Sequence, residues 1–150
     1  MPLLNLNRIN MEQNLKNIKV NFKNIKNNIK NIQNEIVTPA LRYNNVKKDK
    51  YIIFRENINK SAVYRLVNNI NGKCYISSSR NLSNKLNIYY SLSSLKKKEG
   101  SIIIYRSLLK YGHSNFSLEI LEYCKSSILT PRKQYYINLL KPEYNILKKY

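Results

Sequence analysis

Lysine is the residue type whose number and spacing point most clearly to chemistry in this sequence. Between positions 16 and 30, lysines recur at intervals of three and four residues, so on a helix they form one stripe: Lys16, Lys19, Lys23, Lys26 and Lys30. Ammonium groups along one side of a helix suit a row of phosphates, because each contact releases a counterion from the polyanion. The spacing predicts phosphate contact along this stripe, although a solvated helix face has the same pattern.

Other cations are candidates for the same contact. They are Lys47, Lys48, Lys50, Arg80, Lys85, Lys96, Lys97, Lys98, Arg132, Lys133, Lys148 and Lys149. The chain has 27 Lys and Arg against 8 Asp and Glu, which gives a formal net charge of +19. So many like charges repel one another in a compact fold, and a polyanion that supplies negative charge relieves this repulsion. Nucleic acid is therefore the predicted partner, and an anionic membrane surface is the weaker alternative.

Sulfur and imidazole chemistry is poorly represented. The two cysteines, Cys74 and Cys124, lie too far apart in sequence to suggest a disulfide framework or a four-ligand zinc site, so they are predicted to be buried, reduced thiols. The single histidine, His113, follows Gly112 and could cap a helix, stay exposed or contact phosphate. We expect no metal, no cofactor and no small-molecule substrate.

Composition places the chain among folded proteins of one ordinary domain. Hydrophobic residues make up 43% of its 150 residues, which is enough for a core. No window resembles a membrane span or a secretory signal. Asn, Lys, Ile and Tyr, whose codons are AT-rich, number 24, 20, 19 and 13. This bias suggests an AT-rich organellar genome and location in the mitochondrion, although an AT-rich bacterium or parasite would look similar.

The N-terminal region predicts a long amphipathic helix. Apolar residues recur at spacings of three and four from Leu15 to Ile36, which favours a basic helix over about 10–36. A disordered segment is the alternative, because the repeated Asn-Ile-Lys pattern is rich in a poor helix former. Pro39 ends the pattern, and a linker with a possible short strand at 51–54 follows. We therefore divide the chain into a basic arm, 1–60, and a domain, 61–150.

The second part predicts an α+β domain with a three-stranded antiparallel sheet flanked by helices. The expected elements, in order, are a strand at 62–68, a strand at 74–78, a helix from 81 or 83 to about 90, a polar loop at 91–100, a helix near 101–111, a strand at 116–123 and a helix at about 130–140.

The motifs in these elements resemble those of the GIY-YIG nuclease domain of intron-encoded homing endonucleases from mitochondria and phages. The matching segments are Ala62-Val63-Tyr64, Asn71 to Ser79 with Asn81-Leu82, Lys110-Tyr111-Gly112 with Asn115-Phe116, Arg132 to Ile137, and Pro142 to Leu147. They occur in the family's order and cover about residues 61–148. Several pieces in the same order are more specific than any one alone.

The resemblance implies metal-assisted hydrolysis of phosphodiesters. In that family a tyrosine helps to activate water, an arginine holds the phosphate and a glutamate on the last helix binds a divalent cation. The matching tyrosines are Tyr64, Tyr75 and Tyr89, and Asn145 matches a residue of the closing motif. Lys85 stands at the arginine position and Lys133 at the glutamate position, where an ammonium cannot bind a cation. The motif glycines are replaced by Ala62 and Ser77.

These replacements lead us to expect a non-catalytic nucleic-acid-binding protein that is not an enzyme. Its most specific form is a structural, rRNA-binding component of a mitochondrial ribosome, in contact with neighbouring ribosomal proteins. The alternatives are an active or weakly active endonuclease that hydrolyses DNA, an intron-encoded splicing cofactor, a decaying intron reading frame, and attachment of the N-terminal helix to a membrane surface.

Overall fold

The structure is a computed structural model that describes residues 2–100 and 102–146. It divides into two compact units, one up to Val37 and one from Thr38. The first unit is a single helix, α1 (Pro2–Ile36), which confirms the predicted N-terminal helix and extends it towards the N-terminus. Within the described residues, no helix is long and apolar enough to cross a membrane.

The second unit is built on one antiparallel sheet. Its strands are β1 (Leu41–Tyr43), β2 (Ala62–Asn68), β3 (Cys74–Ser79) and β4 (Phe116–Tyr123), in the spatial order β1-β4-β2-β3. Its helices are α2 (Lys50–Glu56), α3 (Leu82–Tyr90), α4 (Leu92–Lys98), α5 (Ile103–Tyr111) and α6 (Leu129–Leu140), with 3-10 turns at His113–Asn115, Ser126–Ile128 and Glu143–Asn145. The predicted α+β class, with helices flanking an antiparallel sheet, is confirmed.

The boundary between the two units differs from the prediction. We placed residues 38–60 in the N-terminal arm, but β1 pairs with β4 and becomes a fourth strand of a sheet predicted to have three. Buried Asn57 holds this segment in place: its side-chain amide donates to the Tyr43 hydroxyl at 3.1 Å and accepts from the Tyr123 hydroxyl at 2.7 Å. Such tertiary contacts leave no periodic signal in the sequence.

Two local predictions are wrong. The expected strand at 51–54 lies inside helix α2, where the Ile53 amide donates to the Asp49 carbonyl and the Ile53 side chain is buried. The expected loop at 91–100 contains helix α4, which Ser91 caps by accepting from the Ser94 amide. Buried Leu95 fixes that helix to the core. Each helix has only seven residues, too few to show a helical period.

The two faces of the sheet are covered by different helices. Because successive strand residues point to opposite faces, Tyr64 and Leu66 of β2 lie on one face and Val63 and Arg65 on the other. The first face carries the main core, to which α3 and α5 contribute Leu82, Leu86, Ile104 and Leu108. Helix α6 contacts β2 and β3 and buries Leu129, Tyr136 and Leu140.

A buried ion pair joins three strands on the second face. Glu119 of β4 stands opposite Arg65 of β2 and Arg42 of β1. The Arg65 Nη2 lies 2.9 Å from Glu119 Oε2, and both side chains are more than nine-tenths buried. The Arg42 Nη1 is 3.4 Å from Glu119 Oε1, and its side chain is 47% exposed. Glu119 therefore depends mainly on Arg65 for compensation of its charge.

We expect Arg65→Ala to lower the free energy of unfolding by about 3 kcal/mol or more. The substitution leaves the buried Glu119 carboxylate with Arg42 as its cationic partner, at the longer distance of 3.4 Å and on a half-exposed side chain. Arg42→Ala is the matched control and should cost no more than about 1 kcal/mol. Urea denaturation followed by circular dichroism measures both. Equal losses for the two variants would contradict the asymmetric role of the arginines.

Candidate nucleic-acid interface

The motif tyrosine Tyr64 lies at the centre of a buried hydroxyl cluster. Its side chain on β2 is fully buried, and its hydroxyl is 2.6 Å from that of Tyr89 on α3. Ser77 faces it directly from β3 and adds a further polar neighbour. The Tyr89 ring also packs against Tyr105 of α5, with centroids 5.8 Å apart. The fold thus brings together two of the three motif tyrosines away from solvent.

Burial governs the ionisation of this cluster. Desolvation raises the pKa of Tyr64 above the ordinary value of 10.0, and it raises the pKa of Tyr89 well above that value. Both hydroxyls are therefore protonated at neutral pH. With no exposed surface, Tyr64 cannot reach a solvent water from this position. It acts here as a hydrogen-bonding core residue.

Tyr75 differs from the other two motif tyrosines in its exposure. It lies on β3, opposite Leu66, and so faces the same side of the sheet as Tyr64. Its side chain is only half-buried and packs at the margin of the core. Tyr75 is therefore the motif tyrosine that can meet a ligand.

Asn145 closes the free edge of β3, which is an outer strand of the sheet. Its Oδ1 accepts from the Ile76 amide and its Nδ2 donates to the Ile76 carbonyl, both at 2.8 Å. Two residues earlier, Glu143 Oε2 accepts from the Cys74 amide at 3.0 Å. The Glu143–Asn145 turn thus replaces a neighbouring strand, and both polar groups of the Asn145 amide are engaged.

Lys85 and Lys133 flank β3 from helices on its two faces. Lys85 lies on α3 between buried Leu82 and Tyr89, and Lys133 lies on α6 on the buried stripe of that helix. Both side chains are half-buried, and both helices contact β3. The Lys85 backbone amide donates to the Asn81 carbonyl, but within residues 2–100 and 102–146 neither side-chain ammonium has a hydrogen-bonding or ion-pair partner. Half-buried lysine side chains without a counterion suit an anion.

Arg132, the neighbour of Lys133, is already paired. Its Nε lies 2.7 Å from Glu122 Oε2, and its guanidinium carbon is 4.5 Å from the centroid of the Tyr135 ring. The hydrogen bond that Arg132 donates to Glu122 raises the pKa of Arg132. The predicted phosphate contact of Arg132 therefore competes with an ion pair inside the fold.

The other predicted cations lie on separate elements. Lys50, within the 38–60 segment, places its Nζ 4.8 Å from the centroid of the Tyr90 ring. The remaining ones are Lys16, Lys19, Lys23, Lys26 and Lys30 on α1, Lys47 and Lys48 before α2, Arg80 before α3, and Lys96, Lys97 and Lys98 on α4. Lys148 and Lys149 lie outside the described residues. For all of these lysines and arginines, contact with nucleic acid stays a prediction.

The site does not fit a divalent cation. The described part of the chain holds no group of three or more His, Cys, Asp or Glu side chains placed to bind a metal. Lys133 stands at the position where the family resemblance implies a carboxylate. The nearby acids are used elsewhere, Glu122 by Arg132 and Glu143 by the Cys74 amide.

The two thiols and the histidine differ in burial. Cys74 is buried, as predicted, whereas Cys124 is only partly buried, and neither forms a disulfide. That both are reduced stays a prediction. His113 stacks on Tyr90, and its Nε2 hydrogen-bonds the Tyr89 carbonyl at 2.5 Å. His113 therefore makes contacts inside the fold, and its contact with phosphate stays a prediction. Tyr105 was not predicted as a neighbour of the tyrosine cluster, because in the sequence it is one more apolar position of α5.

Two solved structures are similar to this chain. One is the catalytic domain of the homing endonuclease I-TevI, at 27% identity and a TM-score of 0.49, which covers 59% of this chain and 100% of that one. The other is a mutant of the same catalytic domain, at 26% identity and a TM-score of 0.48, which covers 59% of this chain and 92% of that one. No protein-family model matches the sequence.

These similarities correct one expectation. From Lys85 and Lys133 we expected a chain that is not an enzyme, but both similar structures are catalytic domains. The replacement of two side chains does not by itself show a loss of activity. We therefore withdraw that expectation.

The tyrosine cluster makes stability sensitive to alkaline pH. Below pH 10 the contribution of Tyr64 is fully present; above it, the unfolded chain releases the phenolic proton that the folded chain retains, so stability falls. We expect Tyr64→Phe to flatten this decline by up to about 1.4 kcal/mol per pH unit. Urea denaturation between pH 7 and 11 measures it, with exposed Tyr135→Phe as the control. An unchanged decline in Tyr64→Phe would disprove this assignment.

Proposed function

We propose that this chain binds the phosphodiester backbone of nucleic acid at β3, with Lys85 and Lys133 contacting phosphates. The observation that carries the proposal is the pair of half-buried lysine side chains on the two helices that contact this strand, neither with a carboxylate partner among the described residues. Phosphates supply the negative charge that these lysines lack within the fold. Half-buried Tyr75 lies on the same strand and can contact the sugar or base beside such a phosphate.

The use of acids inside the fold strengthens this argument. Glu119 is bound to Arg65, Glu122 to Arg132, and Glu143 accepts a backbone hydrogen bond from β3. These carboxylates therefore do little to neutralise the lysines at the surface. With a net charge of +19, the chain attracts polyanions over distances set by the ionic strength.

Helix α1 offers a second, extended contact in this proposal. Its 35 residues span about 50 Å, and the lysine stripe runs along one side for roughly 20 Å. Arrays of this kind bind phosphates without reading bases. The helix thus contributes affinity in our proposal, while β3 places the phosphates that Lys85 and Lys133 contact.

Hydrolysis of the bound phosphodiester is the second function we propose. Half-buried Tyr75 of β3 and Lys85 of α3, which contacts β3 from the same face of the sheet, favour it. Water attacks phosphorus, the bond to the leaving oxygen breaks, the attacking water loses a proton and the leaving alkoxide gains one. Lys85 stabilises the negative charge that grows on the non-bridging oxygens. The Tyr75 hydroxyl is placed to relay a proton. No step passes through a metal, because the side chains present do not fit one.

The finer assignment to a mitochondrial ribosome stays a prediction. The charge that suits rRNA suits DNA equally. A splicing cofactor bound to intron RNA also stays open. Sedimentation from the native source at low salt distinguishes them by the nucleic acid recovered with the protein.

The binding proposal predicts a change in salt dependence. For duplex DNA, the slope of log affinity against log salt should fall by about 0.9 for each phosphate contact removed, or about 1.8 for Lys85→Gln with Lys133→Gln. Fluorescence anisotropy between 50 and 200 mM salt measures it. Lys60→Gln with Lys125→Gln removes the same charge elsewhere and serves as the control. A slope that changes equally in both double variants would refute a specific role for β3.

The hydrolysis proposal predicts nicking of supercoiled plasmid DNA that persists in excess EDTA. Tyr75→Phe should reduce the rate at least about tenfold, because it removes a proton-transfer group, whereas Tyr135→Phe should not. Cleavage abolished by EDTA, or no cleavage by the native chain in either condition, would overturn a lysine-based reaction. Neither result would affect the binding proposal.

A further inference from the structure

A small basic cavity lies beside the hairpin of β2 and β3, apart from Lys85 and Lys133. It has a volume of about 160 Å³ and opens between the hairpin turn, helix α5 and the Glu143–Asn145 turn. Its cations come from two elements: Lys73 from the turn, and Arg106 and Lys110 from α5. None of the three belongs to the cations that the sequence singled out.

The three cations converge for reasons of backbone geometry. Arg106 and Lys110 are four residues apart on α5, so they lie on one side of that helix. Lys73 follows Gly72, whose φ of +73° turns the chain back into β3. No acidic residue lines the cavity, and among the described residues none of these cations has an ion-pair partner. The cavity therefore concentrates positive charge.

The floor of the cavity is a fixed set of polar groups. The Tyr144 hydroxyl accepts hydrogen bonds from the side-chain amides of Asn68 at 3.1 Å and Asn71 at 3.2 Å, and it is hydrogen-bonded to the Ser107 hydroxyl at 2.8 Å. The Oδ1 atoms of the two asparagines accept amides of the turn, from Ile70 and Lys73, which orients their NH₂ groups towards Tyr144.

These polar groups give the cavity a fixed floor. Ser107 Oγ lies 2.8 Å from the Tyr144 oxygen, and a hydroxyl can accept a proton as well as donate one, so this pair is satisfied within the fold. Tyr144 and Ser107 are both more than nine-tenths buried, so these groups are rigidly held. A rigid polar floor beneath three cations suits an anion.

Size and position identify the class of anion. The cavity, of about 160 Å³ and open to solvent, has room for one phosphate group with hydration water. The Glu143–Asn145 turn contacts both α5 and β3, so a chain of phosphates bound at β3 can continue to the cavity. A polymer satisfies both places at once, whereas a free phosphate satisfies only one.

We infer that the cavity at Lys73, Arg106, Lys110 and Tyr144 binds a backbone phosphate of nucleic acid, as a contact separate from the one at β3. This inference rests on the proposed binding of nucleic acid. It predicts that the protein contacts the phosphate backbone of the nucleic acid at two places, the cavity and β3, on either side of the Glu143–Asn145 turn.

The test compares two triple variants of equal charge. Lys73→Gln, Arg106→Gln and Lys110→Gln together remove the cavity cations; Arg55→Gln, Lys60→Gln and Lys125→Gln remove two lysines and one arginine elsewhere. With duplex DNA, we expect the salt slope of the cavity variant to fall by at least about 0.9 and the control to change much less. Circular dichroism melting checks that both variants fold, which the exposure of all six side chains favours.

The outcomes separate the two proposals. If the native chain fails to bind DNA or RNA, the proposed function itself fails. If it binds and the Lys85 and Lys133 variants lower the slope while the cavity variant behaves like its control, the cavity inference alone is overturned. Inorganic phosphate is the second probe, followed through the amide resonances of Lys73 and Ser107. Saturation by phosphate, with no change in the DNA slope of the cavity variant, would assign the cavity to the free anion and also overturn the inference.

Discussion

The closure of β3 by the side chain of Asn145 is the interaction on which the rest of the candidate interface depends. An outer strand presents unpaired amides and carbonyls, and an open edge invites pairing with another chain. Here the two hydrogen bonds to Ile76 satisfy that edge with a single amide. The same bonds hold the turn that places Tyr144 beside α5. One polar side chain thus stabilises the sheet edge and positions the groups on both sides of it.

Electrostatics inside the second unit follow a consistent division. Three carboxylates are engaged within the fold: Glu119 by Arg65, Glu122 by Arg132 and Glu143 by the backbone of β3. For buried Glu119, this pairing offsets the loss of solvation. Among the described residues, Lys85 and Lys133 have no such carboxylate, and in our proposal a polyanion supplies the negative charge.

The tyrosines illustrate how one motif can hold different chemistry at each position. Tyr64 and Tyr89 share a hydrogen bond in the buried core, where desolvation keeps them neutral. Tyr75 lies two strand positions from Ser77 and reaches the margin of that core. The register between β2 and β3 therefore decides which hydroxyl stabilises the fold and which can act on a ligand.

Charge, periodicity and turn residues are local properties, so the amino-acid sequence predicts the basic character, the long N-terminal helix, the hairpin of β2 and β3, helices α3, α5 and α6, and the motif tyrosines. Strand β1 and helices α2 and α4 are not predictable in this way, because they are short and are held by tertiary contacts, such as those of Asn57 and Leu95. The burial of Tyr64, the ion pair of Arg132 and the meeting of Lys73 with Arg106 and Lys110 at one cavity are evident in the folded structure alone. Burial and convergence depend on contacts between residues far apart in the chain, and no pattern along one segment records them.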